Sequence, residues 1–183
     1  MGQWKTIRGS RVYIEDGQSV SDAFKYRERE FTSEQLRYEQ QIDKYTRKNY
    51  KSFNHITMSD NTPENLKHVG LNDLPMTVIS SKLDRIINKA GSQKRTYHGL
   101  GAEITKQLPK AIKDPRYILK ADKGIIVVTQ LYDKQNRPII VPIIENGLAR
   151  RGNNFYKANV ITSAYGRNNF DAWLKKQKIL WAK

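Results

Sequence analysis

The sequence contains no cysteine and no long apolar run, and these two absences exclude several classes of protein. Without cysteine the chain forms no disulfide, no thiolate nucleophile and no Cys-ligated zinc site. No apolar stretch approaches the roughly 20 residues that span a bilayer, so a membrane partner is not expected. The first fourteen residues carry charge where a signal peptide has its apolar segment, so no secretion signal is expected.

Carboxylates are scarce in the C-terminal part of the chain. Residues 76–183 hold seven Asp and Glu against 21 Lys and Arg, whereas residues 1–75 hold 11 against 12. Scattered acids argue against a two-metal nuclease site. The sequence also lacks a His-x-x-x-His pair and a phosphate-binding Gly-rich loop, so neither a metal nor a nucleotide cofactor is expected.

The uneven distribution of charge is the clearest positive feature of the sequence. Of the net charge of +15, residues 1–75 contribute +1 and residues 76–183 contribute +14. A field this positive attracts polyanions, of which nucleic acid is the commonest. Two other interpretations stay open: an acidic protein partner, or a charge excess that serves only solubility.

Composition and turn signals divide the chain near residue 65. Turn-forming residues crowd between Asn54 and Asn65, so we expect a connector or arm over residues 1–65 and a basic domain over residues 66–183. The second helix of the connector has few apolar positions, which predicts a solvated arm or a linker. The connector is expected to hold a short strand at Arg11–Ile14, a turn at Asp16-Gly17 and two polar helices, the second after a capping box at Thr32.

The basic domain combines helical and strand periodicities. Apolar residues recur at helical spacing from Val78 to Ala90 and from Leu100 to Ile112, with a break expected at Pro109. The expected fold class is α+β, with helices packed on a four- to five-stranded antiparallel sheet and preceded by a mostly helical N-terminal segment. Strands are expected at Tyr117–Ala121, Gly124–Tyr132, Arg137–Glu145, about Tyr156–Tyr165 and Ile179–Ala182, with a Gly- and Asn-rich loop over residues 146–154 and a helix from Asn169.

The hairpin over residues 124–145 carries two further signals. Its strands are apolar on both faces, which predicts a central position in the sheet with cover on both sides. Pro138 and Pro142 are an even number of positions apart and both lack a backbone N–H group. We therefore expect one edge of this strand to be unpaired or irregular.

The most informative polar motif is the run Ile161–Arg167. In an extended strand Ser163, Tyr165 and Arg167 project to one face, because side chains alternate with period two. A hydroxyl, a phenol and a guanidinium in a row form a plausible phosphate-binding surface, in which the arginine binds bidentately and the tyrosine stacks on a base or moves a proton. A strand end with an exposed Tyr and Arg is the alternative.

His98 lies in a basic loop and is the second candidate. Imidazole titrates near neutral pH and is the usual group for proton transfer. Nearby cations are expected to lower its pKa and keep it neutral enough to act as a base. A purely structural histidine is the alternative. The candidate RNA-binding cations are Lys94, Arg95, Lys120, Arg150 and Arg151.

Several short motifs occur in an order typical of one family. They are Val69–Pro75 (VGLNDLP), Tyr97-His98-Gly99-Leu100, Leu108-Pro109, Asp114-Pro115, the Gly124–Tyr132 hairpin strand, Thr162–Arg167 (TSAYGR) and Ile179-Leu180-Trp181. In this set and order, residues 68–183 resemble the C-terminal toxin-type domain of phage MuF head-morphogenesis proteins, which is placed with the barnase–EndoU–colicin–RelE group of ribonucleases. The N-terminal stretch over residues 7–19 resembles the connector that precedes effector domains in phage structural proteins.

The resemblance implies two helices on an antiparallel sheet, a metal-independent ribonuclease site on the exposed sheet face, and an immunity protein as partner. His98, Ser163, Tyr165 and Arg167 match the polar motifs of the family and are thereby implied as catalytic. The expected function is an endoribonuclease toxin that cuts cellular RNA, such as tRNA, by attack of the 2′-OH on the adjacent phosphate. It would need no cofactor. It would act in the cytoplasm of a target or host cell, carried there by a phage particle or a secretion system.

Two other functions remain open at this point. One is a nucleic-acid-binding protein without catalysis, packaged or delivered with a phage genome. The other is a different toxin enzyme, such as an ADP-ribosyltransferase. The expected partners are an RNA substrate and a cognate immunity protein with an acidic surface, which would complement the +14 charge of residues 76–183.

Overall fold

A computed structural model describes residues 2–7, 10–14, 16–17, 19, 33–47, 55–88 and 98–183. The chain divides into two compact units, Met1–Arg37 and Tyr38–Lys183. The first connector helix and the basic cations Lys94 and Arg95 lie outside the described residues. Within the described part of the chain, no helix is both long and apolar enough to cross a membrane.

The smaller unit contains one antiparallel hairpin. Its strands are β1 (Gln3–Ile7) and β2 (Ser10–Ile14), with a register that runs from Gln3 opposite Ile14 to Ile7 opposite Ser10. The second strand was expected from the sequence, whereas the first was not. The turn at Asp16-Gly17 is confirmed, and Gly17 has a φ of 80°, which favours glycine.

The larger unit contains the remaining strands and most of the helical residues. Helix α1 (Ser33–Arg47) begins in the smaller unit, and its residues from Tyr38 belong to the larger one. The expected boundary near residue 65 falls within the larger unit. The elements that follow α1 are β3 (His55–Ser59), α2 (Glu64–His68), β4 (Met76–Ile79), α3 (Ser80–Ile87), α4 (Gly101–Lys113), β5 (Tyr117–Ala121), β6 (Gly124–Tyr132), β7 (Pro138–Arg151), β8 (Asn154–Ile161), β9 (Tyr165–Gly166), α5 (Phe170–Leu174) and β10 (Ile179–Ala182).

The fold is α+β, as expected, but its sheet is larger and of mixed direction. Seven strands of the sheet pair in the order β10-β5-β6-β7-β8-β4-β3, and β9, the eighth, pairs with β7. All neighbours are antiparallel except β4 and β8, which are parallel. The expected four- to five-stranded antiparallel sheet is therefore wrong, because the sequence analysis did not recognise β3 and β4 as strands.

A buried polar network explains why residues 76–79 form a strand and not the start of a helix. The side-chain amide of Asn159 donates to Thr62 Oγ1 at 2.8 Å and to the carbonyl of Asn72 at 3.0 Å. The Asn159 backbone N–H donates to the Pro75 carbonyl at 2.9 Å, which sets Met76 opposite Asn159. Asn159 is fully buried, so these bonds satisfy groups that would otherwise be costly. Helix α3 consequently begins at Ser80.

Helix α1 packs into the core and is not the solvated arm that its polarity predicted. Tyr38 and Ile42 are fully buried among the core residues that cover one face of the sheet. Asp43 Oδ1 on α1 lies 2.6 Å from Lys106 Nζ on α4. Two apolar side chains are enough here because they are large and one helical turn apart.

Helix α4 continues through Pro109, so the expected break there is wrong. Proline lacks the N–H that would bond to the carbonyl four residues earlier, which is that of Thr105. That carbonyl instead accepts a hydrogen bond from the Tyr38 hydroxyl at 2.7 Å. Burial raises the pKa of Tyr38 and so keeps the phenol a donor. A tertiary contact therefore replaces the bond that proline removes.

Both faces of the central strands are covered, as the apolar pattern of the hairpin predicted. The helices α1, α3 and α4 cover one face. On the other face Leu119, Val128 and Ile140 pack against α5, chiefly through Phe170 and Trp173. Strand β10 also forms where it was expected and pairs with β5.

The chain that follows β6 differs most from the expectation. Strand β7 runs on to Arg151, so the predicted loop over residues 146–154 is wrong. The irregular edge beside Pro138 and Pro142 is confirmed: β8 ends opposite Ile143, and β9 resumes pairing opposite Ile140. The single strand expected over residues 156–165 is thus split, and residues 162–164 lie in the gap next to Pro142.

Candidate active site

His98 is fixed by the end of helix α3. Its backbone N–H donates to the carbonyl of Arg85 at 2.7 Å, and the N–H of Leu100 donates to the carbonyl of Ile86 at 2.8 Å. These carbonyls belong to the last turn of α3 and lack partners within the helix. Gly99, which lies between the two donors, has a φ of 60°. Glycine adopts this angle at no steric cost, so the His-Gly pair anchors the imidazole beside the sheet.

Two of the residues expected to act with His98 contact its ring. Ser163 Oγ lies 3.1 Å from His98 Nε2. The rings of His98 and Tyr165 are stacked, with centroids 5.0 Å apart and planes inclined by 26°. With the imidazole proton on Nε2, the ring donates to Ser163 Oγ, which leaves Nδ1 unprotonated. Residues 65 positions apart in sequence therefore meet in one cluster, His98–Ser163–Tyr165.

The surroundings of His98 favour its neutral form. Burial lowers its pKa below the ordinary value, and the positive charges of Arg137 and Lys82 lower it further. This direction was expected from the sequence on account of Lys94 and Arg95, which lie outside the described residues. Of the two cations that the structure places near the ring, Arg137 directly precedes β7 and Lys82 lies on α3. A neutral imidazole with a lowered pKa is suited to accept a proton.

Arg137 is held beside the cluster by Asp133. Its Nε and Nη2 atoms both lie 2.7 Å from Asp133 Oδ2, and Nη1 donates to Asn168 Oδ1 at 3.0 Å. Burial opposes ionisation of Asp133, but hydrogen bonds from Arg137 and from the backbone N–H groups of Arg137 and Gln135 outweigh it and lower its pKa. The pair is therefore a fixed ion pair with a defined guanidinium position.

Gly166 leaves the space that Asp133 occupies. A Cβ atom at position 166 would overlap the Asp133 carboxylate and would crowd the Arg137 side chain. Gly166 is buried on β9, one residue after Tyr165. The Tyr-Gly pair thus sets the aromatic ring and the ion pair side by side.

Arg167 lies in a different environment from His98. Its guanidinium carbon is 5.0 Å from the ring centroid of Trp173 on α5, and its backbone N–H donates to the Pro138 carbonyl at 2.9 Å. Its Nε atom is buried and has no hydrogen-bond partner among the described residues. Among the described residues, Ser163 and Tyr165 contact His98, whereas Arg167 contacts Trp173 and Pro138.

The candidate RNA-binding cations are spread over the larger unit. Lys120 is exposed on β5 next to β10. Arg150 and Arg151 lie at the end of β7, where Arg150 is half-buried and Arg151 is exposed. None of the three has a described contact with the His98–Ser163–Tyr165 cluster. Lys94 and Arg95 are among the residues outside the described set.

Sequence reasoning missed Arg137, Asp133 and Lys82. Asp133 and Arg137 lie on either side of the turn that joins β6 to β7, and Asp133 Oδ1 accepts the N–H groups of Gln135 and Arg137. Their link to the cluster depends on the pairing of β7 with β9, and no local pattern reveals that pairing. An Asp and an Arg four residues apart across a turn was the one usable signal.

The cluster combines the components of proton transfer next to an anion. His98 offers an unprotonated nitrogen, Ser163 orients it, and Arg137 supplies a positive charge to a developing negative one. Among the described residues, no group of three or more His, Asp or Glu side chains is placed to hold a metal ion. The side chains present in the cluster are suited to proton transfer with electrostatic stabilisation by cations.

Comparison with known proteins gives one family and no individual relative. Residues 89–183 match the family profile of the phage MuF C-terminal domain. Comparison with curated proteins gives no match, and comparison with solved structures gives none either. The matched range covers just over half of the chain and includes His98, Ser163, Tyr165 and Arg137. The chain therefore belongs to the family of phage MuF C-terminal domains.

Proposed function

We propose that this MuF C-terminal domain is an endoribonuclease toxin that cuts cellular RNA without a metal ion. The observation that carries the proposal is the 3.1 Å contact between His98 Nε2 and Ser163 Oγ, under a stacked Tyr165 and near two cations. The net charge of +14 over residues 76–183 supports a polyanionic substrate.

The proposed reaction uses the substrate's own 2′-hydroxyl as nucleophile. His98 takes the proton from the 2′-OH, the 2′ oxygen forms a bond to phosphorus, and the bond from phosphorus to the 5′ oxygen breaks. Arg137 stabilises the charge that builds up on the phosphate oxygens. The leaving 5′ oxygen takes a proton from the Tyr165 phenol or from water. The products are a 2′,3′-cyclic phosphate and a 5′-hydroxyl end.

The family and the charge support a proposed biological setting. The domain would act in the cytoplasm of a target or host cell, delivered with a phage particle or by a secretion system. A cognate immunity protein with an acidic surface would block it, because such a surface complements the basic domain.

The test is cleavage of an RNA oligonucleotide with excess chelator present. We expect cutting of the all-ribose strand and none at a position where the 2′-OH is replaced by hydrogen. The cut ends should carry a cyclic phosphate. Cleavage that stops on addition of chelator, or that continues at the deoxy position, would overturn the mechanism.

A nucleic-acid-binding protein without catalysis is the second candidate. The cations of the β7–β8 hairpin and the exposed ring of Phe155 favour it, since they form a binding surface with no proton-transfer group of their own. Tight retention of the same oligonucleotide without any cleavage would select this function over the first.

A further inference from the structure

The end of the β7–β8 hairpin has one packed face and one open face. Side chains alternate along each strand, and the register sets Ala149 opposite Tyr156 on the inner face, where both pack with Ala158. The outer face carries four side chains, which we call the hairpin face: Leu148, Arg150, Phe155 and Lys157.

The hairpin face alternates apolar and cationic groups in two directions. Leu148 pairs with Lys157, and Arg150 pairs with Phe155. The apolar groups therefore occupy one diagonal and the cations the other, with neighbours along a strand about 7 Å apart. Leu148 is 63% exposed and Phe155 is 61% exposed, so both have lost little contact with water.

Arg150 is held in place beside the exposed ring. Its Nε donates to the carbonyl of Gly152 at 2.7 Å, and its guanidinium carbon lies 5.9 Å from the Phe155 ring centroid. Its backbone N–H donates to His55 Nδ1 at 2.9 Å. A cation fixed in this way loses little conformational entropy when it binds an anion.

The sequence from the second half of β7 through β8 carries charge of one sign. Between Asn146 and Phe170 the sequence contains four Lys and Arg and no Asp or Glu. An acidic peptide would satisfy the cations but would offer no flat group for the ring of Phe155. Single-stranded RNA offers both, because its bases stack on aromatic side chains while its phosphates contact Lys and Arg.

We propose that the hairpin face is a second RNA-binding site, which holds the strand at a distance from the bond that is cut. A base stacks on Phe155, and the flanking phosphates contact Arg150 and Lys157, with Leu148 packed against a neighbouring sugar or base. The proposal rests on the proposed function for its choice of ligand. In this proposal the hairpin face binds long RNA strands, and the cleavage reaction takes place separately at His98.

The separation follows from the strand itself. Tyr165 of the cluster pairs with Ile140 on β7, ten residues before Arg150. At about 3.3 Å per residue this is roughly 30 Å along the strand, less where the strand bends. A dinucleotide is too short to reach from one site to the other, whereas a strand of a dozen nucleotides is long enough.

The test is the affinity of a 12-nucleotide 2′-O-methyl oligouridine, which has no free 2′-OH and is not cut, measured by fluorescence anisotropy. Phe155→Ala should weaken binding about 5- to 100-fold, the range for loss of one stacked base. Phe155→Trp should restore it. Tyr132→Ala, which removes an exposed ring outside the hairpin, is the control and should change affinity little. Thermal unfolding should be unchanged in Phe155→Ala, because the ring is mostly exposed.

Each outcome separates this proposal from the proposed function. Equal affinities of the parent and Phe155→Ala would overturn the hairpin site even if the parent cleaves RNA. An equal loss of cleavage on a dinucleotide and on the 12-mer ribose strand would also overturn it, since the ring would then act at the cut bond. If Phe155→Ala binds RNA more weakly than the parent and the parent does not cleave RNA, the hairpin site is supported and the ribonuclease is refuted. If Phe155→Ala weakens binding of an acidic immunity protein but leaves RNA affinity unchanged, the ligand of the hairpin face is that protein and not RNA.

Discussion

The regions around His98 and His55 use the same residue type in different ways. Burial lowers the pKa of both imidazoles. His98 contacts a hydroxyl and an aromatic ring and lies in the field of two cations. His55 sits at the start of β3 and accepts the backbone N–H of Arg150, which bonds the end of β7 to the edge of the sheet.

The comparison shows that a lowered pKa does not by itself mark a functional site. In both regions the shift comes mainly from burial, which acts on any histidine packed against a sheet. What differs is the partner. A backbone amide occupies Nδ1 of His55 and so gives this ring a structural bond, whereas the Ser163 hydroxyl and the nearby Arg137 leave His98 suited to chemistry on an anion.

The largest expected effect comes from removing the His98 imidazole. His98→Ala should lower the rate of RNA cleavage about 10²- to 10⁴-fold, the usual contribution of a general base. Single-turnover cleavage at pH 7.5 measures it.

His55→Ala is the matched control for that variant, because it also removes a partly buried histidine with a lowered pKa. It should leave the rate per folded molecule nearly unchanged. Equal losses of rate in the two variants would show that both histidines act only through folding.

Gly166→Ala should have the next largest effect, on the cation near His98. The added methyl group overlaps the Asp133 carboxylate and so displaces Arg137. We expect a loss of cleavage rate of up to about 100-fold, as for other small misplacements of a charged group.

The double variant with Asp133→Ala sharpens this experiment. Removing the carboxylate makes room for the methyl group, so Gly166→Ala should cost little further rate in that background. Simple addition of the two losses would contradict the explanation.

Lys82→Met should shift the pH profile with a smaller change in rate. Loss of this positive charge raises the pKa of His98 towards its ordinary value. Because the base must be neutral, the acidic limb of the profile moves to higher pH. Cleavage should fall several-fold at pH 6 and stay the same at pH 8.

Lys113→Met is the control for charge, since Lys113 is exposed at the end of α4 and is not among the cations that lower the pKa of His98. It should leave the acidic limb in place. A shift as large as that of Lys82→Met would mean that the profile follows overall charge and not His98.

The smallest expected effect is the contribution of His55 to stability. Its folded-state pKa lies below the unfolded value near 6.5, so its contribution is present above that pH and is lost as the pH falls through the folded pKa. His55→Asn keeps an acceptor for the Arg150 N–H but does not titrate. Urea unfolding at pH 7.5 and 5.5 should show a smaller loss of stability in the variant than in the parent. A loss of equal size would remove His55 from the pH dependence.

Local patterns predicted much of the sheet but not how its parts meet. The bounds of β5, β6 and β10 agree with the sequence analysis, because alternation and turn residues are local signals. The expectation failed at β4 and Pro109, where Asn159 and Tyr38 act from other parts of the chain. These are tertiary bonds that override a local preference.

The site followed the same rule. His98, Ser163 and Tyr165 were recognisable by residue type, and their meeting was implied by the family resemblance. Arg137 and Lys82 were not recognised, because a cation in a basic chain carries no distinguishing signal until the pairing of β7 with β9 brings one to the imidazole.

The bond from Tyr38 to the Thr105 carbonyl has a consequence for how the domain is bounded. The family profile begins at residue 89, yet helix α4 within it depends on the Tyr38 hydroxyl, which lies outside that range. Strand β8 likewise pairs with β4, which precedes residue 89. The part of the chain that matches the family is therefore shorter than the part that is needed for a stable fold. A fragment cut at residue 89 would expose an orphaned carbonyl and an open strand edge, both of which invite aggregation. Expression of the domain should accordingly start before Tyr38.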